Sequence, residues 1–314
     1  MQSYIERSRQ IRNLSMPPEN KEYFYGQFRV NFLQIRELFA ENRAYLNDEV
    51  FTPLKDIDAI SEEKAQELLE LSDNLAYTET LEMVDVRLAF FIVNALEPYY
   101  EKRGNREKYI HCLFRREMLA YNVGQIFDRG RLTDALAGRY RGYILACAEK
   151  ASVFLDDVDG FAALPDKTQE ELLNIELFRA TGYERPYYDE LLILRQIGSY
   201  QRYIRRLLDP EIRKAAPNIK WDKQLYSAYT YLMDVQEFLD WHETPDFILR
   251  MLDDAGDQAL ALMKKNGTTS QRDPGAVLSS KKAIGFYRGT TSFEEMVQKY
   301  VDWETESDPN AYDQ

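Results

Sequence analysis

Histidine and cysteine are nearly missing: the 314 residues hold two of each. Cys112 and Cys147 are too few for a disulfide framework or a thiolate zinc site. Both fall in apolar helical stretches, so each reads as a small buried residue. His111 and His242 lie far apart, without metal-ligand spacing around either. No nucleophile elbow of the G-x-S-x-G kind and no phosphate-cradling G-x-x-x-x-G-K-[ST] run occurs, and the glycines are spread singly. Long apolar runs are lacking too. The stretch Leu88-Ala89-Phe90-Phe91-Ile92-Val93 is far too short to span a bilayer. The first dozen residues carry Glu6, Arg7, Arg9 and Arg12 and hold no signal-peptide core. The expectation is a cytoplasmic protein with no catalytic residue, no metal and no cofactor.

Proline (11) and glycine (14) are scarce and sit mostly at segment ends, which fits an all-α chain. What is abundant is tyrosine: 22 residues, each a large ring with a polar tip, suited to helix seams and to exposed grooves alike. Hydrophobic residues make up 45%, enough to order the chain, and 314 residues are long for one compact core. Net charge is −13, which argues against nucleic acid or an anionic membrane as the main partner. The charge is uneven. Glu41–Asp85 holds 13 acids against Arg43, Lys55 and Lys64, whereas Val86–Glu149 holds 11 bases against 7 acids. Such blocks either pair with each other or bind an anionic ligand.

Apolar residues recur with helical period almost throughout. Phe28, Phe32, Ile35, Leu38, Phe39 and Leu46 mark one face of a first long helix. Further helices are expected from Ser61 to about Tyr77 with Ser61 as cap, then over 80–103, 106–129, 132–157, 166–181, 186–208, 222–242 and 245–265. A last hairpin, Ala276–Tyr287 and Phe293–Trp303, follows the polar stretch Gly267–Gly275. Its second helix has Thr291 or Ser292 as cap and Glu294 and Glu295 in the first turn. The organisation expected is a helical-repeat array over 1–266, then a linker, terminal hairpin and acidic connector over 267–314. The polar run Glu304–Pro309 reads as a connector to further protein.

Three times an aromatic residue leads through arginine to glycine: Tyr100 to Arg103-Gly104, Phe127 to Arg129-Gly130, and Phe286-Tyr287-Arg288-Gly289. Glycine just past a helix takes the left-handed φ that closes it, and arginine in the last turn suits the negative end of the helix dipole. A recurring helix–Gly–helix unit points to stacked hairpins. A second echo pairs Gly138-x-Tyr140-x-x-Tyr143-Ile144 with Gly198-x-Tyr200-x-x-Tyr203-Ile204. The fold expected is an all-α, right-handed superhelical array of antiparallel helical hairpins.

Leu96–Tyr109 (LEPYYEKRGNREKY) resembles the tetratricopeptide repeat: Leu96 and Tyr100 stand at first-helix positions, Gly104 at the turn and Asn105 at the following cap. Tyr121–Phe127 resembles the same first helix, with Gly124 as its small residue. The resemblance implies that first helices line a concave surface, which makes Arg115, Asn122 and Gln125 candidate contacts. In texture and layout the chain, with its terminal AIGFYRGTTSFEEMVQKYVDW segment, resembles the regulatory region of bacterial signalling proteins. Those place tetratricopeptide-like helices ahead of a GGDEF diguanylate cyclase or a comparable output domain. This likeness implies an input module and carries over no catalytic residue.

Two clusters bear on chemistry. Asp156-Asp157-x-Asp159-Gly160 fits neither a calcium loop, since Leu155 would fill its first position, nor a diphosphate–magnesium motif. It reads as a solvated helix end. Residues 195–206 carry Arg195, Arg202, Arg205 and Arg206, with no acid between Glu190 and Asp209. Those guanidiniums need neighbouring carboxylates or an anionic partner. The candidate groove is therefore Arg139, Tyr143, Tyr200, Arg202, Tyr203 and Arg205 together with Arg115, Asn122 and Gln125. The expected function is a non-catalytic sensory or interaction module that binds a peptide, a partner protein or a small anionic ligand and regulates an output domain by favouring one of two states. The alternatives are an all-α metal-dependent enzyme with an aromatic cavity and a freestanding adaptor or scaffold. The ligand, the pathway and the oligomeric state, a dimer among the options, stay open.

Overall fold

The computed structural model describes residues 47–76, 83–126, 134–180, 190–239, 243–266 and 274–297. Among them there is no strand. The expected first long helix with its face from Phe28 to Leu46, Gly130, His242 and the residues beyond 297 lie outside the described residues. After helical turns at Asn47–Phe51, Thr52–Lys55 and Ile57–Ala59 come α1 (Glu62–Ala76), α2 (Met83–Lys102), α3 (Arg106–Ile126) and α4 (Asp134–Asp156). Then follow the short α5 (Val158–Ala162), α6 (Asp166–Phe178), α7 (Glu190–Leu208) and the short α8 (Pro210–Ala215). The chain continues through α9 (Trp221–Asp234), a 3-10 turn Val235–Phe238, α10 (Asp246–Asn266) and α11 (Pro274–Tyr287). No described helix is long and apolar enough to cross a membrane.

The residues fall into two compact units. One takes the described residues up to Leu155 together with Glu170–Ile175, and the other takes Asp156–Gln169 and the described residues from Glu176 on. The boundary between these two units falls at α6. Helix α11 belongs with α10, against which it packs. Arg288 of the α11 turn reaches Asp253 at 2.8 Å and Asp246 at 3.2 Å, and Lys281 also pairs with Asp253.

In the first unit α2 packs between α1 and α3. Its residues Leu88, Ile92, Leu96 and Tyr99 recur every three or four positions, and all are buried. Helix α3 answers with Tyr109, Ile110 and Leu113, and α4 adds Ile144, Cys147, Ala151 and Leu155. In the second unit α7 packs on α9, α9 on α10 and α10 on α11. The core there is built from Ile193, Ile197, Tyr200, Tyr203, Leu225, Leu232, Leu252 and Ala259. Helices α5 and α8, which the periodicity did not reveal, pack together in this unit.

The ends of the helices follow local hydrogen-bond chemistry. Gly104 (φ 68°) and Gly289 (φ 70°) are the glycines with left-handed φ among the described residues. Gly104 N–H donates to Glu101 O and Asn105 N–H to Tyr100 O, at 3.0 and 3.1 Å; Gly289→Phe286 and Thr290→Gly285 repeat that pair at 3.0 and 2.8 Å. Two bonds of this spacing form a Schellman closure, which satisfies carbonyls that the helix end would otherwise leave open. The Arg103 guanidinium lies over the Tyr99 ring, 3.6 Å from its centroid. Ser61 accepts from Lys64 N–H, Asn105 from Lys108 N–H and Ser292 from Glu295 N–H. The Glu295 carboxylate accepts in turn from Ser292 N–H, completing a capping box.

Candidate functional site

The buried side of α3 is strongly charged. Arg115 and Arg116 follow His111 by about one turn, so a single helix delivers three cationic groups to the interior of the first unit. Asp73 of α1 receives two of them: Arg115 Nε at 2.6 Å and His111 Nε2 at 3.0 Å. His111 Nδ1 faces Glu171 at 2.7 Å. Arg116 and Lys150 both pair with Glu97, whose side chain is almost completely buried. Sequence reasoning did not find this network, because its partners are 38 and 60 residues apart for His111 alone.

Burial works against charge on His111, yet the hydrogen bonds and charges of Asp73 and Glu171 outweigh it and raise the pKa. For Asp73 burial pulls upward, and the His111 hydrogen bond with the Arg115 charge brings the carboxyl below its ordinary value. Both ring nitrogens of His111 face carboxylates, so the imidazolium form donates twice and neither nitrogen is open to a substrate. The arrangement is a clamp that ties α1, α3 and the Glu170–Ile175 stretch together.

The acidic and basic blocks of the sequence meet within this unit. Lys102 pairs with Asp58 at 2.8 Å and Lys108 with Glu62 at 2.6 Å. Beside the Gly104 turn lies an open cleft of 360 Å³, lined among others by Tyr109, Val153, Phe154, Arg106, Lys150 and Glu101. Aromatic walls suit a small ligand. The rim mixes two cations with an acid, and Lys150 is already paired with Glu97.

The expected groove residues separate. Arg115 is 3% exposed and belongs to the clamp. Tyr143 is half-buried, its ring centroid 5.0 Å from that of Phe90. Tyr200 and Tyr203 are core residues, not groove walls: Tyr200 stacks on Tyr231 and Tyr203 donates to Gln224 Oε1 at 3.0 Å. Asn122, Gln125 and Arg139 sit on α3 and α4, with side chains outside the described residues. Arg202 and Arg205 are exposed on α7, where Arg195 accompanies them. On α7 the tyrosines Tyr200 and Tyr203 therefore hold packing positions, whereas Arg202 and Arg205 are exposed.

Asp157 caps α5 by accepting from Gly160 N–H at 3.0 Å, and Asp156 pairs with Arg206 at 2.9 Å. Among the described residues no three His, Cys, Asp or Glu side chains converge to hold a metal ion. Glu176 of α6 is fully buried, 3.6 Å from Arg179. Burial raises its pKa, and the charges of Arg179, Arg206 and Arg202 oppose that without cancelling it.

No family model, curated protein or solved structure matches the chain.

Proposed function

We propose that this chain is a non-catalytic sensory or interaction module, its helices stacked as a right-handed, tetratricopeptide-like superhelical array. It takes a peptide, a partner protein or a small anionic ligand on exposed helix faces. It passes that binding to an output domain of a cytoplasmic bacterial signalling protein of the cyclic-dinucleotide type. The observation that carries the reading is the packing order within each unit. Helices pack on their chain neighbours, α1–α2–α3 in one unit and α9–α10–α11 in the other. Glycine-closed turns after α2 and α11 recur with the same two hydrogen bonds. This is the local arrangement from which helical repeats build extended binding faces. The interior charges support the same reading, since His111, Arg115, Arg116 and Asp73 are engaged with one another or with Glu97 and Glu171.

An array of 15-residue peptides spanning acidic, neutral and basic compositions tests the proposal, with a thermal melt in magnesium and calcium alongside. The expected outcome is saturable binding of a subset of peptides at micromolar concentration and a melting temperature indifferent to either cation. A large rise in melting temperature with magnesium or calcium, lost in Asp157→Ala, would turn the assignment to the metal-dependent enzyme. Absence of any peptide binding would remove the interaction reading.

A further inference from the structure

We infer that the outer face of α7 is a docking strip for an acidic, amphipathic helix of a partner protein. The inference rests on the interaction-module reading and specifies the chemistry of its partner.

Helix α7 sorts its residues cleanly. Ile193, Gln196, Ile197, Tyr200, Tyr203, Ile204 and Leu207 are buried, and Leu194, Arg195, Gln201, Arg202, Arg205 and Leu208 are exposed. At 100° per residue, Leu194, Gln201 and Leu208 fall on one line along the helix, and the line spans roughly 20 Å. Arg205, Arg202 and Arg195 all fall on the same side of that line. Leu194 and Leu208 each keep 49% of their surface in solvent. Gly198 lies between the leucine line and the arginine row, and a Cβ placed there would meet nothing within 4 Å. The strip is thus low at its centre, which lets a second helix come close.

Charge decides what that second helix is. Among the described residues no carboxylate lies within ion-pair distance of Arg195 or Arg205, whose Nε donates to the Gln201 carbonyl of its own helix. Arg206 differs, for it turns aside to Asp156. Arg202 feels the charge of buried Glu176. In a chain of net charge −13 a one-sided row of exposed guanidiniums stands out against its surroundings. A long polyanion such as nucleic acid would meet the repulsion of the whole chain. A short helix with leucines along one line and carboxylates on one flank meets only this strip, burying its apolar line on Leu194 and Leu208 and offering bidentate partners to the arginines.

The test uses a fluorescein-labelled 18-residue peptide with leucine at i, i+3, i+7, i+10 and i+14, glutamate on one flank and alanine elsewhere. Controls are its lysine counterpart, a scrambled sequence of the same composition and a labelled 20-nucleotide single-stranded RNA. Fluorescence anisotropy is read on the full chain, on Arg195→Glu/Arg205→Glu and on Leu194→Ser, with circular dichroism melts confirming that each variant folds. The expected result is binding of the acidic peptide alone. That binding should fall at least about tenfold in the double variant, fall in Leu194→Ser, and weaken several-fold from 50 to 300 mM salt. Equal affinity in the double variant, preference for the lysine peptide or the RNA, or no binding of the acidic peptide would overturn the inference. If peptides of other compositions from the array still bind, the interaction reading survives that failure; if none binds, both fall.

Discussion

His111 stands between two carboxylates in the first unit, and its environment sets a pH dependence with a definite sign. A raised folded pKa means that the imidazolium form contributes stability fully below the ordinary histidine value of 6.5. That contribution is lost as pH climbs through the folded value. Chemical denaturation of the intact protein should therefore give a falling unfolding free energy as pH is raised above neutral. His111→Gln should lose about 3–5 kcal/mol at pH 6, because it leaves Glu171 buried beside an uncharged amide, and the gap to the parent should narrow at higher pH. A pH-independent difference between the two proteins would show that the clamp is not held by charge.

At the scale of single elements, glycine takes opposite roles that substitution can separate. At Gly104 the backbone has φ 68° and a Cβ would meet no atom within 4 Å, so Gly104→Ala should cost about 1 kcal/mol through conformation alone. Gly142 stands inside α4 with equally open surroundings, so Gly142→Ala should stabilise by about 0.5–1 kcal/mol. Urea midpoints moving in the same direction for both would contradict this assignment. These positions also show what could be read from the chain unaided. Ser61, Asn105, Ser292, Gly104 and Gly289 were legible as caps and closures because their hydrogen bonds reach only three to five residues. Helices α5 and α8 were not, because five or six residues give too little period to see. The cluster of arginines on α7 was legible, but not that Arg206 would find Asp156 while Arg195, Arg202 and Arg205 stay exposed, since that carboxylate lies 50 residues away. The inward turn of Tyr200 and Tyr203 was not, since a ring with a polar tip suits a seam and a groove equally well.

For the whole molecule, the two units share one helix: α6 gives Glu170–Ile175 to the first and its two ends to the second. Unit membership is thus interleaved along the chain, a feature invisible to a reading that looks for polar linkers. A fragment ending at Leu155 lacks Glu171 and the buried Leu172, Leu173 and Ile175, and its urea midpoint should lie well below that of a fragment ending at Arg179. Coincident midpoints would show that the first unit does not need that stretch. The charge pairing Lys102–Asp58 and Lys108–Glu62 is solvent-facing, so salt should affect the two fragments alike.

The two thiols have a practical consequence. Cys112 and Cys147 are both at 0% exposure, and burial pushes Cys147 up to about 12 and Cys112 well above its ordinary value. In the native state the reactive thiolate is scarce at each, and access is closed. A cysteine introduced at an exposed position of α7 would accordingly be the fastest-alkylating atom in the chain, so fluorophores or spin probes can be attached beside the arginine row without first removing the natural sulfur atoms.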